Sequence, residues 1–125
     1  MQKLIKNVDL TFRRSFAIWA YCVGHRQLLL RSVCSEQCPT RVDVYFHNVR
    51  WMSLPSSFDC LSIKDVGFDQ ALSFGAKLDE QMSLGSQAYA FIFDATIGVV
   101  VASHLAWHED EGSYSDPSPL DLWIN

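Results

Sequence analysis

His104 and His108, four residues apart in the run Ser103-His104-Leu105-Ala106-Trp107-His108-Glu109-Asp110-Glu111, are the residues most open to a chemical reading. On a helix the two imidazoles would stand one turn apart on one face, within reach of a single metal ion, with Glu109 or Glu111 beside them. The residues before them argue otherwise. Ile97 to Ala102 is a β-branched apolar run, and a strand continuing from it through His104 sets the two rings on one face but about 13 Å apart at ~3.3 Å per residue. That separation is too great for shared coordination, so we expect no metal and read the segment as the exposed end of a strand passing into an acidic turn.

A second constellation lies on Arg41 to Phe46. Val42, Val44 and Phe46 face one way, and Arg41, Asp43, Tyr45 and His47 the other, the period of a half-exposed strand. Neighbouring strands could add Gln27 or Arg31, and His104 or His25 could approach from elsewhere. A phenol, an imidazole that titrates near neutrality and a guanidinium could line one groove, hold a small anion, or act as acid and base. Arg31, Asp43, Tyr45, His47 and His104 are therefore the candidate ligand-pocket residues. A solvated sheet face is the competing reading and the one we favour from sequence.

Nucleophilic and nucleotide chemistry lack their signals. The chain has no G-x-S-x-G elbow, no G-x-G-x-x-G turn and no P-loop. Cys34 and Cys38 are spaced C-x3-C, but a structural zinc site needs four ligands, usually two clustered pairs, and no second pair has the right context. With no export signal apparent, Cys22, Cys34, Cys38 and Cys60 read as free thiols. We expect no cofactor.

The elements that must position these residues are strands. Gln87 to His108 holds two apolar runs broken near Asp94 to Thr96, each apolar on both faces and so expected to be covered on both. Phe16 to Val23 and Gln27 to Val33 form a hairpin around Gly24 and His25, with the glycine supplying positive φ. A strand is expected near Val8 to Arg13, another over Asp59 to Val66, and a turn or bulge at His47 and Asn48. Gly67 to Ser86 fits a short helix begun by Asp69, interrupted by Gly75, or a long loop. Little helix separates the strands, so pairing is antiparallel. The fold expected is mainly β: a single domain over residues 1–125, an antiparallel barrel or two-layer sandwich of six to eight strands with at most one or two short helices.

Composition bounds the function. The 125 residues are 49% hydrophobic and 19% charged, with a formal charge of −4. This supports a folded core and argues against a generally basic, nucleic-acid-binding surface. Arg13, Arg14, Arg26 and Arg31 are the nearest approach to a basic cluster and read as solvated edge residues. No apolar run is long enough for a membrane helix, and the expected location is cytoplasmic. The apolar C-terminal cluster Leu120, Leu122, Trp123 and Ile124 must dock, on its own sheet or on a second copy as a dimer. Trp19, Trp51 and Trp107 read as core or rim aromatics. The leading expectation is a binding domain of immunity or adaptor type, whose protein partner is steered by Glu109, Asp110 and Glu111. The alternative is a small-molecule or catalytic pocket at the end of a barrel; sequence leaves enzyme activity open, with a non-enzyme favoured.

Overall fold

The computed structural model describes residues 3–5, 8–79, 85–93 and 96–113. Among them the chain forms eleven strands and one helix: β1 (Lys3–Ile5), β2 (Asp9–Phe12), β3 (Phe16–Cys22), β4 (Gln27–Ser32), β5 (Arg41–His47), β6 (Trp51–Ser53), β7 (Ser57–Phe58), β8 (Leu61–Val66), α1 (Phe68–Ser73), β9 (Gln87–Phe93), β10 (Thr96–Ala102) and β11 (His104–Asp110). They build two antiparallel sheets. Sheet A runs β1-β11-β5-β4-β3-β7, and sheet B runs β2-β8-β9-β10-β6. Each sheet ends in edge strands of its own, so the architecture is a two-layer sandwich rather than a closed barrel. Eight strands have four residues or more; three edge strands of two or three residues take the total beyond the six to eight expected.

Alternation along each strand sends one set of side chains between the sheets. Leu28, Leu30, Val42, Val44, Phe46 and Leu105 come from sheet A, and Leu61, Ile63, Tyr89, Phe91, Val100 and Ala102 from sheet B. Phe58 bridges the layers, its ring stacked 6.2 Å from Phe16 and 5.2 Å from Phe93. Each of the larger aliphatic and phenylalanine side chains among these contributes about 1.5–3 kcal/mol on leaving water.

The β9–β10 hairpin is covered on both faces along most of its length. Its second face carries Ala88, Val99 and Val101 beneath Ala71 and Ala76, which come from α1 and the segment after it. Coverage stops at the far end, where the cross-strand pair Ile92 and Ile97 stays 44% and 46% exposed. The break expected near Asp94 lies outside the described residues, as do the C-terminal cluster and any dimer formed through it.

Several local expectations are corrected. Positive φ in the β3–β4 turn falls on Arg26 (φ 53), not on Gly24. Helix α1 is capped by Gly67 rather than Asp69, which sits in its first turn, and it ends before Gly75 at φ 101. The strand leading to His104 is not continuous: Ser103 interrupts it, leaving β10 in sheet B and β11 in sheet A. Asn48 (φ 56) makes the matching change from β5 in sheet A to β6 in sheet B. The two corners are joined, with Ser103 N donating to the His47 carbonyl at 2.9 Å and Asn48 Nδ2 donating to Ser103 Oγ at 3.0 Å.

The largest correction concerns β4 and β5. Arg41 to Phe46 is not half-exposed, because every residue from Gln27 to Ser32 and from Arg41 to Phe46 is buried. Strand β11 likewise lies between β1 and β5, with Leu105 and Ala106 fully buried, so it is not an exposed strand end. Among the described residues no helix is long and apolar enough to cross a membrane.

Candidate functional site

Register on sheet A decides which polar residues meet. Strand β5 pairs His47 with His104, Tyr45 with Ala106 and Asp43 with His108 on β11; on its other side it pairs Asp43 with Arg31 and Tyr45 with Leu29 on β4. These are the side chains directed away from the sandwich core. All five candidates named from sequence, Arg31, Asp43, Tyr45, His47 and His104, thus fall on the outer face of sheet A. Three of them are not solvated: Arg31, Asp43 and Tyr45 retain 3%, 1% and 3% of their accessible surface, while His47 and His104 are half-buried.

Buried polar groups require partners, and these have them. Arg31 and Asp43 form a bidentate pair, Nε to Oδ1 at 2.7 Å and Nη2 to Oδ2 at 3.1 Å. The Arg31 guanidinium also lies 5.3 Å from the Trp19 ring centroid, a cation–π contact. Gln27 Nε2 donates to the Tyr45 hydroxyl at 3.0 Å, and that hydroxyl lies 2.6 Å from His47 Nδ1. A phenol that donates to Nδ1 requires a neutral His47 ring to carry its proton on Nε2. His47 and His104 stack, ring centroids 4.7 Å apart and planes 18° from parallel. Burial, and secondarily the charge His47 can carry, hold the His104 pKa below the ordinary histidine value. Stacked planes do not converge on a common ion, and among the described residues no three His, Cys, Asp or Glu side chains form a metal-ligand group. Cys22, Cys34, Cys38 and Cys60 are unbridged.

The partner-surface candidates separate by direction. Asp110 turns onto Arg41, accepting from Nε at 3.0 Å and Nη2 at 2.9 Å, and accepts from the Gly112 N–H at 2.9 Å. The Arg41 hydrogen bond holds its pKa below the usual carboxylate range, with Gly112 and His108 assisting and burial opposing. Glu109, with its side chain 47% exposed, accepts from Thr40 Oγ1 and stands 3.9 Å from Arg14 Nη1. Glu111 is exposed.

The sandwich has two chemically different ends. The imidazole pair lies with Gln27 at one end; Ser32, Arg41 and Asp110 mark the other. At this second end a cleft of about 470 Å³ opens among Arg13, Arg14, Ser15, Ser32, the loop from Val33 to Cys38, and Asp59. No protein-family model, curated protein or solved structure matches this chain. The functional reading therefore rests on geometry. Sequence reasoning missed the cleft; its one signal was the adjacent pair Arg13-Arg14 ahead of β3.

Among the described residues four groups lack what their surroundings usually provide, the first being Arg50 Nε, which is buried without a hydrogen-bond partner. The Tyr89 hydroxyl is buried without a hydrogen-bond partner, and burial, with Asp65 nearby, pushes its pKa up to about 12. Trp51 Nε1 and Ser86 Oγ are also buried and unpartnered.

Proposed function

We propose that this domain acts by binding, and that its partner is a protein with a basic surface engaged by Glu109 and Glu111. The observation carrying the reading is the division at the end of β11. Asp110 is held inward by Arg41 and Gly112, while Glu109 on the paired strand and Glu111 just past its end remain exposed. Preordered exposed charge raises encounter rates and selects the sign of the partner at little ordering cost. The histidine and tyrosine face offers less to catalysis, since its groups take up one another's hydrogen bonds and are packed ring on ring. A general acid or base must instead reach a substrate atom.

Capture from a lysate by wild-type protein and by the Glu109→Gln/Glu111→Gln double variant, quantified side by side, tests the proposal. The expected result is a basic protein enriched by wild type, lost with the variant, and associating about tenfold more slowly with the variant at low salt. A set of captured proteins unchanged by the two substitutions overturns it.

A further inference from the structure

The cleft at the acidic end of the molecule is built from donors. Arg14 forms its wall: Nε donates to Ser32 Oγ at 2.6 Å, Nη1 to Thr40 Oγ1 at 3.1 Å, and Nη2 to the carbonyls of Val33 and Thr40. These bonds tie the β2–β3 connection to the ends of β4 and β5, with the Arg14 side chain only 11% exposed. Its neighbour Arg13 lines the same cleft. Among the described residues nothing pairs with the exposed Arg13 guanidinium, and the exposed Gln37 amide is likewise unengaged. Ser35 is fixed by a turn in which its N–H donates to the Cys38 carbonyl at 2.7 Å and its Oγ accepts from the Cys38 N–H at 3.1 Å. That leaves the Ser35 hydroxyl hydrogen available to a ligand.

Two adjacent cations on a protein of net charge −4, in a cleft with surplus N–H and O–H donors, match an anionic oxygen ligand. Guanidinium suits phosphate above other cations because its fork binds oxyanion edges bidentately. Glu109 stands 3.9 Å from Arg14 Nη1 and is not among the residues lining the cleft. Asp59 sits on the cleft rim itself, holding Ser15 Oγ by a long contact of 3.4 Å. It would oppose a bare anion placed next to it, yet it can accept from ligand hydroxyls. The volume is in the range of small-molecule sites.

We propose that this cleft binds a phosphate monoester of a hydroxylated small molecule, with the phosphate on Arg13, Ser35 and Gln37 and a hydroxyl donated to Asp59. This goes beyond the protein-partner reading and is independent of it, since the variants below leave Glu109 and Glu111 in place.

Titration of the isotope-labelled full chain, followed by amide NMR, with glycerol 3-phosphate, inorganic phosphate and glycerol tests it. The expected result is saturable shifts confined to residues 13–15, 32–38 and 59, strongest with glycerol 3-phosphate, weaker with phosphate and absent with glycerol. Arg13→Gln, an exposed change, should weaken both anions about tenfold or more; Gln37→Ala should act in the same direction and serves if Arg13→Gln unfolds the chain. Asp59→Asn should bring glycerol 3-phosphate down to the level of phosphate. Three results overturn the proposal: no saturable shift with either anion, affinities that neither Arg13→Gln nor Gln37→Ala lowers, or glycerol 3-phosphate binding wild type no better than phosphate.

Discussion

Arg31 and Asp43 carry the most demanding electrostatics in the molecule, a bidentate pair whose side chains are 2% and 1% exposed. Removing one member of a buried pair costs more than the pair contributes, because the remaining charge stays desolvated. Asp43→Ala should therefore lower stability by about 3–5 kcal/mol, read from urea unfolding, and the double change Arg31→Met/Asp43→Leu should recover most of that loss. The stacked imidazoles set a pH dependence of opposite character. The folded-state pKa of His104 is lowered, so the unfolded chain takes up its proton first, near about pH 6.5. Stability is then fully present above that pH and falls as pH drops from there through the folded pKa. Urea midpoints between about pH 7.5 and pH 5 should decline, and His104→Asn should flatten the decline. An unaltered slope in the variant would place the titration elsewhere.

At the scale of elements, backbone approach matters as much as side-chain type. A Cβ added at Gly98 in β10 would lie 2.7 Å from Leu54 Cδ2 and 2.8 Å from the Ser53 carbonyl oxygen. The backbone contact cannot rotate away, so Gly98→Ala should cost about 1–3 kcal/mol, measured as a lowered unfolding midpoint without loss of strand signal. Much of this level was legible in the chain itself. The alternation in Arg41 to Phe46 and Leu61 to Ile63, and the doubly apolar runs of β9 and β10, place strands where they occur. What alternation cannot report is what lies over the second face: a row reading Arg, Asp, Tyr is the same string whether it meets water or is buried as cross-strand ion pairs. The same limit explains the Ser103 error. Val99 to Ala102 is apolar at every position, so no alternation marks where the strand turns, and only the change of pairing partner shows that a sheet has been left.

For the whole molecule, central and edge strands differ in how deeply they are protected. Strands β4 and β5 occupy the middle of sheet A and are buried on both faces, whereas β2 and β6 are edges of sheet B. Amide hydrogen exchange should reach the global unfolding free energy in β4 and β5 and be fastest in β2 and β6; uniform protection across all four would show that the sheets open only together. The candidate site was legible at this scale in part. Sequence gathered the five polar residues now found on one face, because they share strand phase. It had no means of bringing Arg13, the Val33 to Cys38 loop and Asp59 together, since loops converge through topology rather than period.

The joined corners at Asn48 and Ser103 give the imidazole pair mechanical leverage. His47 is both one ring of the stack and the carbonyl that holds Ser103, where β10 and β11 part into different layers. Protonating the His104 ring, stacked 4.7 Å from His47, puts a charge beside the corner that laces the layers together. A proton taken up there bears on the seam where β10 and β11 part, and so on how the two layers are held in alignment.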